Sequence, residues 1–184
     1  GAYAAALAQR YWFNDQIILP LLFGMVFVGV LSAVIGALML RRRGVYFALM
    51  TLALSALTFS IAFRWTEVTG GEDGLGGLQR GMVGPVNLDD NLNYYIFVAV
   101  IGFTTLCFLL RVVQSPFGHV LVAIRENQQR ASFQGYDVQR YKLAVFVLSS
   151  VVTALAGGLS GFQHYIVTAE STSIEMSGEL LAMV

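Results

Sequence analysis

The sequence predicts an all-α fold, a polytopic bundle of membrane-spanning helices, and three observations carry that prediction. The 184 residues are 57% hydrophobic with a mean hydropathy of +0.68, yet only 12% are charged, against about 25% in a soluble domain. The charges are also gathered, so that four windows, 17–40, 45–63, 94–110 and 143–166, hold none. Those windows run 24, 19, 17 and 24 residues, and about 20 apolar residues at about 1.5 Å each cross a hydrocarbon core. Buried helices of a large soluble protein would be shorter and capped.

Taken in order, GAYAAAL at 1–7 reads as the tail of an earlier helix, and residues 10–16 as a short turn. The first window has Pro20 near its start, where a missing N–H costs least. It also holds Gly29/Ala33 and Ser32/Gly36, small residues four apart, the spacing at which two membrane helices approach closely. RRRG at 41–44 is a tight turn. The second window carries Thr51, Ser55 and Thr58 on one face. Seven glycines within 66–93 predict an irregular loop. The fourth window is rich in small residues, with Gly157 and Gly161 as a GxxxG pair and Ser149, Thr153, Ser160 and His164 along one face. GELLAMV at 178–184 begins a new apolar run, so the chain is expected to be a fragment with about four full spans and partial helices at both ends.

Helix counting collects 8 of the 11 basic residues on one side: Arg41, Arg42 and Arg43, then Arg111, Arg125, Arg130, Arg140 and Lys142. The positive-inside bias makes loop 111–142 cytoplasmic and loop 64–93 external. A single cysteine, Cys107, excludes an intrachain disulfide and a multi-cysteine metal site. The one lysine, Lys142, follows Tyr141 rather than a glycine, so there is no phosphate-cradling P-loop. Leu159-Ser160-Gly161-Phe162-Gln163 echoes the LSGGQ signature of ABC ATPases but lies inside a span. No cofactor, metal or nucleic-acid partner is expected. His164, near the end of its span, suits an interfacial anchor better than a ligand.

The stretch SPFGHVLVAIRENQQRASFQG at 115–135 is polar, charged and helical in layout. Ser115 with Pro116 is a helix start. Phe117, Val120, Leu121 and Ile124 fall at i, i+3, i+4 and i+7, one apolar face. Gly135 is placed to end the helix in the left-handed conformation and Asp137 to cap the next. Such a helix lies on lipid, covers the bundle end, or docks its apolar face in a partner's groove.

Ala131-x-x-x-Gly135 resembles the Ala-x-x-x-Gly core of the EAA loop through which ABC importer permeases engage their ATPases, with Gln129 and Arg130 in place of Glu-Ala. More broadly, GAYAAAL, RGVYFALMTLAL at 43–54, TGGEDGLGG at 69–77, SPFGHVLVAIRENQQRA, GYDVQRYKLAVFVLS at 135–149 and MSGELLAMV resemble the LivM-type permeases of branched-chain amino acid ABC importers. The resemblance implies a bacterial inner-membrane location, a homologous LivH-like permease, two cytoplasmic ATPase subunits, a periplasmic binding protein and no catalysis by this chain. Residue by residue it carries ATPase coupling onto Ser115, Phe117, Gly118, Ala123, Arg125, Glu126, Asn127, Ala131 and Gly135. Val120, Leu121 and Ile124 join them as the apolar face. Thr51, Ser55, Thr58, Ser149, Thr153 and Ser160 are the candidate translocation path, the competing reading being that hydroxyls bond their own helix backbone. In the resembling chains SGE opens the next membrane segment, giving Glu179 a structural place at a helix start. Urea, short amides or another small polar solute remain alternatives to an amino acid, and a channel or ion-driven transporter an alternative to the importer.

Overall fold

The computed structural model describes residues 1–12, 16–40, 45–71, 73–83 and 86–168. The RRRG turn, Asp15, Glu72 and everything from 169 on, including Glu179 and MSGELLAMV, lie outside the described residues. In chain order the elements are α1 (Ala2–Trp12), α2 (Ile18–Met39), α3 (Val45–Arg64), α4 (Thr66–Thr69), β1 (Leu75–Gly76), β2 (Met82–Val83), β3 (Val86–Asn87), α5 (Asn91–Val113), α6 (Pro116–Glu126), α7 (Gln128–Phe133), α8 (Val138–His164) and β4 (Ile166–Val167). Four of them, α2, α3, α5 and α8, are long and apolar enough to cross a membrane. The fold is that of an all-α polytopic membrane protein.

The bundle is built on α1, α2 and α8, and small residues set their distances. Helices in lipid gain nothing from hiding apolar surface from one another, so close van der Waals packing must hold them. A Cβ added at Gly36 would stand 2.8 Å from Phe146 and 2.9 Å from Leu143 of α8, and one at Gly29 would stand 3.1 Å from Val151. Gly158 makes room for Leu21 in the same way, and Gly24 for Ala5 of α1. By contrast α3 and α5 display large apolar side chains, such as Leu52, Val100, Phe103 and Leu106, on their outer surfaces. Several hydroxyls bond within their own helix, as suits a hydrocarbon surrounding. Ser32 donates to Gly29 O, Thr104 to Val100 O and Ser150 to Phe146 O.

The glycine-rich stretch is more ordered than its composition predicts. Thr66–Thr69 forms one helical turn, closed by Gly70 at φ +74°. Leu75 and Gly76 then pair antiparallel with Val167 and Ile166, which lays the loop across the end of α8. Met82–Val83 and Val86–Asn87 make a second short ladder. Leu75, Leu78 and Leu88 are buried with Phe162, Leu159, Ile17 and Leu21. Gln9 of α1 secures the loop from the other side, donating to Gln79 O and accepting from Gln79 N at 3.2 Å. The apolar leucines between the glycines supplied this order; glycine counting alone could not register it.

Gly36→Leu is expected to destabilise the full-length protein in detergent by about 1–3 kcal/mol, the range for overpacking a filled contact, read as a lower melting temperature. Gly102 faces open space, where an added Cβ meets nothing within 4 Å, and Gly102→Leu serves as the control. Equal losses in the two would contradict the packing argument.

Candidate coupling surface and transport cleft

The chain turns from α5 into α6 at Ser115, whose backbone is extended (φ −79°, ψ 165°). Its hydroxyl donates to Val112 O at 2.6 Å and accepts from Gly118 N at 3.4 Å, holding the end of one helix to the start of the next. Pro116 occupies the first turn of α6, where no partner for an N–H exists. Gly118 is required sterically: a Cβ there would run into the carbonyl of Val113. The glycine therefore lets α6 fold back against the last turn of α5.

On its inner side α6 meets α8. Phe117 stacks on Tyr141 with ring centroids 5.5 Å apart, and Tyr136 meets the same ring edge-on at 6.0 Å. Ile124 is 3% exposed, and Val120 and Leu121 are half-buried. The apolar row expected to dock on a partner is thus turned into the chain's own bundle. The expected single helix is also two. Asn127, extended at φ −154° and ψ 105°, ends α6, and its Oδ1 accepts from Gln129 N and Arg130 N at 3.0 and 3.1 Å to start α7. Side-chain oxygens of asparagine cap helices well, but the sequence reading carries Asn127 only as a coupling residue and expects no helix break there.

The end of α7 explains the Ala-x-x-x-Gly spacing. Tyr136 N donates to Ala131 O and Gly135 N to Ser132 O, with Gly135 at φ +90°. This is a Schellman motif, whose left-handed position suits glycine. Ala131 is buried beneath it. Asp137 then caps α8 by accepting from Arg140 N at 3.2 Å. The outward surface left by this double turn comprises Val122, Arg125, Glu126, Asn127, Gln129, Arg130 and Gly135, with Phe133 standing 90% exposed. Phe133 was not singled out from the sequence; its one signal is a large aromatic off the 117–120–121–124 row, just before the terminating glycine.

Behind α6, between α5 and α8, opens a mostly apolar cleft of about 420 Å³. Leu109 and Val112 form one wall, Leu121 and Arg125 the α6 side, and Ser149 and Thr153 the α8 wall. Thr153 donates to Ser149 O at 2.9 Å. Ser160 is exposed further along α8. The structure does not bring the α3 hydroxyls to this cleft. The main neighbours of α3 are α2 and α4, and Thr51 and Thr58 donate to Ala48 O and Leu54 O, each at 2.8 Å. Ser55 is half-buried on the same helix. At the far end of the bundle a second, polar cavity of about 560 Å³ is lined by Gln9, Arg10 and residues 75–79.

Comparison with known proteins agrees with this architecture. The profile of the branched-chain amino acid transport system / permease component family matches residues 1–184. The high-affinity branched-chain amino acid transport system permease protein LivM of Salmonella typhimurium is 26% identical over 212 residues, covering 100% of this chain and 48% of its own length. A probable LivM of Methanocaldococcus jannaschii is 25% identical over 76% of this chain and 41% of its own. The L-arabinose ABC transporter permease protein AraH of Azospirillum brasilense is 28% identical over 78% of this chain and 41% of its own. The chain spans about half the length of the curated relatives it matches. No solved structure matches. A four-span apolar bundle whose whole length fits one family profile belongs to that family: the chain is a member of the branched-chain amino acid transport system permease component family.

Proposed function

We propose that the protein is the permease subunit of an ATP-binding cassette importer, forming part of the path for a branched-chain or related amino acid. Its α6–α7 elbow is the surface on which a cytoplasmic ATPase acts. The observation that carries this reading is the elbow itself. It is a capped double helix that breaks at Asn127 and ends at Gly135, fixed to α5 by Ser115 and Gly118 and to α8 by the Phe117–Tyr141 stack. A push on it is therefore delivered to two membrane helices at once. The cleft lies directly behind, so the same push alters its width. Ser149 and Thr153 line that cleft and offer weak hydrogen-bonding groups, which suits a solute that must be released. More of the similar permeases are named for branched-chain amino acids than for L-arabinose, which supports an amino acid as the solute.

In this reading the loop 111–142 faces the cytoplasm and 64–93 the outside of a bacterial inner membrane. A homologous permease, two ATPase subunits and an external binding protein complete the system. The partner-facing residues are the exposed set on the elbow. Phe133 is its aromatic anchor, with Arg125, Glu126, Gln129 and Arg130 around it. Phe117, Ile124 and Ala131 support the elbow from within.

Phe133→Asp and Arg130→Glu in the full-length permease are expected to lower co-purification of the ATPase at least fivefold and uptake in proportion, with the permease still in the membrane. Wild-type ATPase retention in both would reject the assignment. Gly118→Ala is expected to raise hydrogen exchange across 116–126, by a local loss of about 1–3 kcal/mol, while the centres of α2 and α8 keep their protection. Unchanged exchange would show that the elbow tolerates the methyl group and is no rigid lever. In a background with Cys107 replaced by serine, Ser149→Cys and Thr153→Cys should react with a membrane-impermeant thiol reagent applied from the cytoplasmic side, whereas Thr58→Cys should not.

A further inference from the structure

Arg80 stands outside every role described so far, yet it is the most completely enclosed charge among the described residues. Its exposure is 3%, and no described carboxylate pairs with it. Nε donates to Phe162 O at 3.1 Å and Nη2 to Gln163 O at 2.9 Å, both carbonyls of the last turn of α8. Nη1 donates to Asn91 Oδ1 at 3.0 Å, on the first turn of α5. The guanidinium lies between two aromatic faces, 4.1 Å from the ring centre of Tyr94 on α5 and 4.4 Å from that of Tyr165 just beyond α8. Tyr94 adds its own bond across the gap, donating to Leu159 O at 2.6 Å.

Each of these contacts has a physical reason. The final carbonyls of a helix lack intrahelical partners and carry the negative end of its dipole. A buried cation needs full hydrogen bonding, and stacking between aromatic faces adds favourable electrostatics. Only a planar fork with several donors supplies both at once. The result joins the ends of α5 and α8 at the loop 64–93 side. At the opposite end the same two helices stand apart across the cleft, linked there through α6.

We propose that Arg80 is the positioning residue of transport: it forms the fixed joint about which α5 swings against α8 when the elbow is pushed. This rests on the importer reading. With the joint intact, motion delivered at α6 widens or narrows the cleft at one end only. Without it that end is left to the single bond from Tyr94 to Leu159 O, too little to hold the joint fixed, and ATP hydrolysis no longer drives directed movement of solute.

The test uses the full-length permease with its ATPases and binding protein in proteoliposomes. Arg80→Lys and Arg80→Gln are expected to reduce uptake at least tenfold, retain ATPase binding, and raise ATP hydrolysis in the absence of binding protein at least twofold. Lysine keeps the charge but not the fork, so full uptake in Arg80→Lys would overturn the proposal in favour of a simple charge. Retention of ATPase by the wild type is scored separately, so failure of the importer reading is told apart from failure of the joint. Should the Arg80 variants fail to fold, a second arm decides. Leu92→Cys and Gln163→Cys, both on exposed side chains, are bridged by a flexible thiol cross-linker in a Cys107→Ser background. A joint that stays closed throughout the cycle permits uptake within twofold of the unbridged protein; abolished uptake would refute it.

Discussion

The close approach of α2 and α8 is the contact from which the rest of the described chain hangs. Its cause is the solvent: lipid offers no drive to cluster apolar side chains, so two helices stay together only where their backbones come near enough for dense dispersion contact. Gly29, Gly36 and Gly158 provide that nearness, and each faces a large residue on the opposite helix rather than another glycine. The arrangement is knob into notch. It fixes rotation as well as distance, because a notch accepts its knob in one phase only. Once α8 is set, α1 is placed by Ala5 beside Gly24 and Gly158. The glycine loop is placed by the pairing of Leu75 with Val167, and α6 by Phe117 on Tyr141.

Parts of this were legible in the residues because their signals are local. A charge-free window of the right length is a helix whatever surrounds it. Ser115 before Pro116, Asp137 before Val138 and Gly135 after Phe133 announce helix ends through backbone needs that do not depend on distant partners. The family resemblance, too, was carried by contiguous motifs and is matched by a profile over the whole chain. Arg80 belongs to the opposite class. Its acceptors are carbonyls 82 and 83 residues away, and a carbonyl is the same group in every residue, so nothing in the sequence marks them. Asn127 failed for a subtler reason: an asparagine within a helix and an asparagine that breaks one are the same letter, and only the extended backbone separates them.

The hydroxyl stripes show where periodicity stops being informative. Thr51, Ser55 and Thr58 share a helical face as surely as Ser149 and Thr153 do, yet one pair borders a cleft and the other row sits on a helix beside α2 and α4. Period tells which residues face together, not what they face. Moreover, a threonine that donates to the carbonyl of its preceding turn satisfies its own proton while leaving its lone pairs available. The bond from Thr153 to Ser149 O therefore leaves the hydroxyl oxygen able to accept a hydrogen bond at the cleft wall.

That the elbow turns its apolar row inward bears on the kind of interface the proposed coupling would need. A helix presenting Phe117, Val120, Leu121 and Ile124 to a partner would form a dry contact, slow to release and exposed to aggregation when empty. Here Phe117 stacks on Tyr141 of α8 and Ile124 is buried, so these contacts hold the elbow in place whether or not anything is bound. What remains outside is a charged and amide-bearing rim around the single aromatic Phe133. Interfaces of that composition take their affinity from a central anchor and their orientation from the surrounding charges. In the proposed coupling, an elbow built this way would not have to be reassembled at each cycle, because the contacts that fix it to α5 and α8 lie apart from its exposed rim.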